Sequence, residues 1–216
     1  TLTKIRNLIF TGDTRSAEQM INMYFMTGQH GMPYETVGSL LIDAPFVGKP
    51  TSYRRELDLS RAVATTKFEI DGVTYKREVI SSFTDNVVII HISASKPHSI
   101  SFNASYDSPL PHSVGLEDGR LVLKGKCLSH EGVEGKIRMQ TVLDVKNEGG
   151  KTELTSSRLI VSNASDVVLY LSSATNFVNY HDISGDETEK SVTLLKNAMK
   201  KNFPTAIVNH VDYYKK

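Results

Sequence analysis

The stretch YRRELDLSRAVATTKFEIDGVTYKREVISSFTDNVVIIHISA, residues 53–94, decides the fold. From Ala62 to Ile70 the side chains alternate. Ala62, Ala64, Thr66, Phe68 and Ile70 fall on one face and Val63, Thr65, Lys67 and Glu69 on the other, the period of two that a pleated strand imposes. Asp71-Gly72 interrupts the run. Val73, Tyr75 and Val79 then alternate against Thr74, Lys76 and Glu78, with Arg77 a charge on the apolar side. A two-residue Asp-Gly loop accommodates the positive φ values of a type I′ turn, whose twist matches the strands it joins, so a tight hairpin is predicted. Val87 to Ala94 is nearly continuous in Val and Ile, as expected of a strand covered on both faces. His91 is its only ionisable residue and reads as a satisfied core histidine.

Outward from this stretch, short strands recur between turns. Val37 to Asp43 precedes it, with Pro45 to Pro50 as a turn region, and Ile100, Phe102 and Ala104 alternate after the turn at Lys96-Pro97. Ser108-Pro-Leu-Pro-His112 is excluded from a central strand, because two prolines would remove ladder donors. Further strands are predicted over 120–124, 136–146, 152–161 and 167–174, with Asn147-Glu-Gly-Gly150 as punctuation. Helical spacing appears only at the ends. Ile5, Leu8 and Ile9 mark a first helix; Ala17, Met20, Ile21 and Tyr24 mark a second, with Asp13 or Thr14 as N-cap and Thr27-Gly28 as stop, before a polar loop from Gly28 to Pro33. The methionines at 20, 23 and 26 read as core between helix and sheet. Asp186 to Lys201 carries a Val192, Leu195 and Met199 stripe, and after Pro204 the residues Ile207, Val211 and Tyr214 repeat at helical intervals. So short a helix is marginal alone, and in this chain the last stripe is expected to fold back onto the sandwich rather than pair with a second copy or fray.

This order predicts a mainly β protein, a large antiparallel β-sandwich with flanking helices at both ends. Its expected parts are a helical segment over 1–27, the sandwich over 28–176 and a helical linker over 177–216. Thr1 reads as a fragment boundary, with neither an initiator Met nor a signal-like segment.

Composition narrows the function classes. With 216 residues, 39% hydrophobic and 23% charged, the chain is long enough to bury a sizeable core. A net charge of +1 leaves no electrostatic footprint for nucleic acid or an acidic membrane surface. No apolar run approaches the roughly 18 residues of a membrane span. A lone Cys127 precludes an intrachain disulfide and reads as a small hydrophobe. The seven histidines never fall at i, i+2 or i, i+4, so no metal site and no cofactor is expected. Phosphate-binding glycine loops and nucleophile elbows are missing too. The close carboxylates Glu56/Asp58, Glu117/Asp118 and Glu131/Glu134 read as turn and surface groups. Glycosidase chemistry would need a pair about 5 to 9.5 Å apart across a sugar. Asn103-Ala-Ser and Asn163-Ala-Ser fit the N-glycosylation acceptor pattern. Tyr53-Arg54-Arg55 reads either as a stacking clamp for a ligand or as a solvated strand edge.

Several blocks in order carry a family likeness: IRNLIFTGDTRSAEQM at 5–20, YETVGSLLID at 34–43, YRRELDLSRAVAT at 53–65, DGVTYKREV at 71–79, Ser-Pro-Leu-Pro at 108–111, SSATNF at 172–177 and NHVDYYKK at 209–216. Together they resemble the N-terminal domain of glycoside hydrolase family 95, the α-L-fucosidases, over nearly the whole chain. The resemblance implies a super-β-sandwich joined by helical linkers to an (α/α)6 catalytic barrel as its partner. It implies an exo-acting, inverting parent enzyme that removes terminal α-linked L-fucose from glycans, and a secreted, periplasmic or cell-surface parent in a glycan-degrading bacterium. The family's general acid and water-positioning residues lie in the barrel, so no catalytic residue is expected in this chain. Where the family commonly shows Tyr-Gln-Pro-Leu-Gly-Asp, this chain has Tyr34-Glu35-Thr36-Val37-Gly38-Ser39. The resemblance puts this loop nearest the barrel, making Tyr34, Glu35 and Gly38 the candidate substrate-entrance residues. The other class is an independent carbohydrate-binding module, which usually needs exposed aromatic platforms.

Overall fold

The computed structural model describes residues 1–26 and 32–216. The expected helix stop at Thr27-Gly28 and most of the loop from Gly28 to Pro33 lie outside the described residues. The chain divides into two units, Thr1–Glu35 with Leu128–Gly135, and Thr36–Cys127 with Lys136–Lys216.

In the first unit, α1 (Leu2–Phe10) and α2 (Thr14–Tyr24) form where the periodicity places them. Asp13 caps α2 by accepting the Ser16 N–H at 3.1 Å. Ile5 and Ala17 are the buried residues of the two helices. The methionines depart from expectation, since Met23 is 72% exposed and Met26 is exposed as well. Helical spacing marks one face of α2 but does not say how much of that face is covered.

The second unit holds all twelve strands found among the described residues. The decisive hairpin joins β3 (Val63–Ile70) to β4 (Val73–Ser82) with Ile70 opposite Val73. Asp71 at φ 51° and Gly72 at φ 69° provide the two positive φ values that a type I′ turn needs. Ala62, expected in the strand, instead closes the preceding turn at φ 50°. That turn links β2 (Thr51–Asp58) to β3. A second Asp-Gly turn, Asp118 at φ 48° and Gly119 at φ 72°, joins β7 (His112–Glu117) to β8 (Arg120–Lys126). Three further strands are β5 (Val87–Ala94), β9 (Arg138–Glu148) and β12 (Asp166–Thr175). All eight make one antiparallel sheet in the order β2-β3-β4-β5-β12-β9-β8-β7.

A smaller sheet, in the order β1-β6-β11-β10, is built from β1 (Ser39–Asp43), β6 (Ile100–Asp107), β10 (Lys151–Leu154) and β11 (Arg158–Ala164). The single strand expected over 152–161 is therefore a hairpin of two, broken where Thr155 Oγ1 accepts the Ser157 and Arg158 N–H groups. Ile100, Phe102, Ala104, Leu159 and Val161 of this sheet face Ile90, Ile92, Leu121, Leu143, Val167 and Leu169 of the larger one. Each of these larger side chains, Ala104 apart, contributes about 1.5–3 kcal/mol once fully buried. On its outer face Asn103 is half-buried in β6. Asn163 is exposed in β11, at a bulge where its φ is 55°.

The other face of the eight-stranded sheet is covered by α3 (Glu187–Ala198) and α4 (Phe203–Tyr214), with Leu195, Ala198, Phe203 and Ala206 packed on Val63, Ile80, Ile89, Val142 and Tyr170. This third layer explains why Val63, assigned by alternation to the polar face, is buried. The sheet has two cores, and β5 alternates between them. The fold-back expected of the last helix is present, but the face that docks is Phe203, Ala206 and His210, with Ile207 partly packed. His210 Nε2 lies 3.0 Å from the Ala62 carbonyl oxygen, so the positive-φ turn residue presents an acceptor to the helix.

Candidate functional site

The three expected entrance residues fall in both units. Tyr34 belongs to the first and is 99% exposed. Glu35, in the same unit, accepts the Leu128 N–H at 3.1 and 3.3 Å through its two carboxylate oxygens, which ties the 128–135 segment to the 1–35 segment. Gly38 belongs to the second unit, at φ 133°, where a Cβ would collide with the Asp107 carbonyl oxygen and lie 3.1 Å from Ser108 Cβ. Only glycine fits so close a backbone approach. Val37, Leu40, Tyr106, Leu123 and Leu171, with Gly38, Ser39, Thr141 and Ser173, line a mostly apolar recess of about 160 Å3. Its hydroxyls include the Thr141 and Ser173 pair at 3.0 Å. Those two hydroxyls engage each other, and the lining includes neither a carboxylate nor a histidine.

His91, expected as a satisfied core histidine, has a carboxylate on each side and one ring nitrogen without a hydrogen bond. Register puts it opposite Glu78 on β4 and Val168 on β12. Its Nε2 donates to Asp166 at 2.7 Å, and its Nδ1 lies 3.5 Å from Glu78, close enough for an ion pair but without hydrogen-bond geometry. Lys76 holds the other Glu78 oxygen at 2.8 Å, and the Phe203 ring packs on the imidazole at 4.3 Å. Burial opposes charge on His91, but hydrogen bonding and charge from Asp166, then Glu78, outweigh it and raise its pKa above the ordinary value. Each polar member is engaged by another, so the cluster fastens the start of α4 to the sheet.

Tyr53-Arg54-Arg55 is resolved by the pleat. Arg54 turns to an ion pair with Glu56, while Tyr53 lies against Phe68 and Arg55 is exposed on the row Arg55, Thr66, Arg77, Ile92 that runs across four strands. Tyr53, Phe68 and Tyr75 stack in sequence, with ring centroids 6.3 and 5.4 Å apart, and Phe46 meets the last two edge-on. Arg77 is the charge that alternation places on the apolar side. Burial lowers its pKa, and Tyr53 acts in the opposite direction. The hydrophobic pattern gives no hint of the aromatic ladder, whose rings come from three strands and a loop.

The close carboxylate pairs are separated by their partners. Glu56 pairs with Arg54, Asp58 accepts the Ser60 N–H at 2.9 Å, and Glu117 meets Lys124 at 2.6 Å. Cys127 is half-buried. Among the described residues no group of three or more His, Cys, Asp or Glu could hold a metal ion, and no helix is long and apolar enough to cross a membrane.

Known proteins place these features in a family. Residues 1–180 match the model of the family described as "Glycosyl hydrolase family 65, N-terminal domain". The chain is 28% identical over 244 aligned positions to "Alpha-L-fucosidase 2" of Arabidopsis thaliana, covering 100% of the chain and 28% of that protein. It is 25% identical to "Probable alpha-fucosidase A" of Aspergillus niger, covering 97% of the chain and 27% of that protein. The chain thus spans little more than a quarter of the length of these relatives. Two solved structures share the fold. "Putative kojibiose phosphorylase from human microbiome" matches 77% of the chain and 25% of its own at TM-score 0.52 and 13% identity. A bacterial glucoamylase complexed with acarbose matches 82% and 30% at TM-score 0.50 and 9% identity. The α-L-fucosidase resemblance read from the sequence agrees with both relatives, while the matching family carries the number 65 where that resemblance carries 95. A match over residues 1–180 is most of the chain, which therefore belongs to the family of glycosyl hydrolase N-terminal domains.

Proposed function

We propose that the chain is the non-catalytic N-terminal β-sandwich of an exo-acting, inverting α-L-fucosidase-type glycoside hydrolase, packed through its terminal helices on an (α/α)6 catalytic barrel. The carrying observation is the alignment of the whole chain with only 28% of an enzyme named as an α-L-fucosidase. Apolar side chains near the last helix support such a partner. Phe83 stacks on Tyr213 at 5.7 Å, and Val208, Tyr213 and Tyr214 of α4 are exposed together with it. In this reading Tyr34, Glu35 and Gly38 border the substrate entrance.

The stereochemistry of the full-length protein tests the reaction. Proton NMR during hydrolysis of an α-1,2-linked fucoside should show β-fucose before α-fucose, because a single displacement by water inverts the anomeric carbon. Initial appearance of the α-anomer would mean a double displacement and would remove the inverting assignment.

A further inference from the structure

We propose that the exposed inner face of β2, β3 and β4 binds a carboxylate-bearing sugar residue, a uronate, through Tyr53, Arg55 and Arg77. The inference rests on the reading of the chain as part of a glycan-processing enzyme. The eight-stranded sheet extends past the smaller one here, since neither β2 nor β3 contributes to the core between the sheets. Arg55 and Arg77 lie in one row with Thr66 between them, two strand spacings apart, or about 9.6 Å between Cα atoms. Two long side chains at that separation reach a common point between them. Among the described residues neither guanidinium is in an ion pair or a side-chain hydrogen bond. The acidic residues of β2 and β4 face the other way, Glu56 in the row of Thr65 and Glu78. Asp71 sits at the hairpin tip, where its charge acts on the Tyr75 phenol.

A half-buried guanidinium with no counter-ion favours an anion, and a planar fork favours a carboxylate held through two parallel hydrogen bonds. Tyr53 selects the rest of the ligand. It ends the aromatic ladder at 56% exposure, with Phe68 on one side and the other side open to the C–H face of a sugar ring. The space enclosed by Phe46, Phe68, Tyr75 and Ile92 is about 30 Å3, enough for a water but not for a sugar. The ring therefore sits at the rim, on Tyr53, and the carboxylate points inward to Arg77.

Titration of the 216-residue chain with trigalacturonate, its fully methyl-esterified form, hexaglutamate and glutarate, followed by amide NMR shifts at low salt, decides it. Trigalacturonate should bind with shifts centred on β2 to β4, and esterification should weaken binding about tenfold or more, as removal of a charge-assisted pair does. Arg55→Gln and Arg77→Gln should each weaken it about tenfold as well. Arg55 is exposed on an edge strand, so its variant keeps the test valid if Arg77→Gln unfolds. Tyr53→Ala should reduce binding of trigalacturonate but not of glutarate. Equal binding of the free and esterified forms, tighter binding of hexaglutamate, retention of affinity in a folded Arg55→Gln chain, or no binding would each overturn the proposal. Fucose release by a full-length protein whose N-terminal chain ignores trigalacturonate would sink this inference alone and leave the hydrolase reading standing.

Discussion

Gly150→Val is expected to destabilise the chain by about 4 kcal/mol, roughly half from backbone strain and half from displaced neighbours. Gly149 and Gly150, at φ 67° and 65°, carry the chain from β9 in the large sheet to β10 in the small one in two residues. A Cβ on Gly150 would strike the Ser162 carbonyl oxygen and lie 2.6 Å from the Ala164 amide nitrogen, both backbone atoms of β11 that cannot rotate away. Gly119 separates the two contributions, because it has φ 72° but nothing within 4 Å of a Cβ. Gly119→Val should cost only the strain, about 2 kcal/mol. Urea melts of both variants measure this, and equal midpoints would show that the crossover has room the structure denies.

Asp85→Ala is expected to cost about 2 kcal/mol, since it removes the buried carboxylate that satisfies the Ser82 and Thr84 hydroxyls and pairs a partly exposed Lys201. The Asp85 side chain is 4% exposed in the β4–β5 turn, where Oδ1 holds Lys201 at 2.6 Å. Its Oδ2 accepts Ser82 Oγ at 2.9 Å and Thr84 Oγ1 at 3.2 Å. Tyr170 in turn donates to the Lys201 carbonyl at 3.2 Å, so the carboxylate joins the turn, the sheet and the α3–α4 junction. Burial alone would raise the Asp85 pKa, but Lys201, Ser82 and Thr84 together lower it. A depressed carboxyl stabilises the fold above the unfolded value of about 3.9 and loses that contribution as pH falls through the folded one. The stability gap between wild type and Asp85→Ala should therefore be constant above about pH 5 and narrow below about pH 4. A gap unchanged down to pH 2.5 would mean that the charge on Asp85 is not what stabilises the junction.

Much of the architecture was legible because it is encoded locally. Asp71-Gly72 specifies its turn by backbone chemistry alone, and the prolines at 109 and 111 mark a crossover between sheets. Asp13 as a cap and Pro204 in the first turn of α4 are equally local signals. Illegible features depend on partners distant in sequence. Val63 is buried because α3 and α4 form a third layer, and the pKa of His91 is raised because Glu78 and Asp166 arrive from strands on either side. The docking face of α4 differs from the Ile207, Val211 and Tyr214 stripe because Phe203 and Ala206 pack into the sheet core, with His210 bonded to the Ala62 carbonyl. Asp118-Gly119 carried the same hairpin signal as Asp71-Gly72, but β7 is short and half-polar, so alternation there was weak. The alignment of Arg55 with Arg77 follows from the pairing that runs unbroken from Asp58 opposite Val63, and the Leu59 to Ala62 turn that sets it carries no Asn-Gly or Asp-Gly signal.

Fucose release from an aryl α-L-fucoside, compared between the 216-residue chain and the full-length protein, tests the central claim most directly. The proposed non-catalytic sandwich predicts release by the full-length protein and none by the chain, because the reaction needs two positioned carboxyl groups that the proposal assigns to a separate domain. Fucose release by the purified chain above a mock-purified control would contradict it.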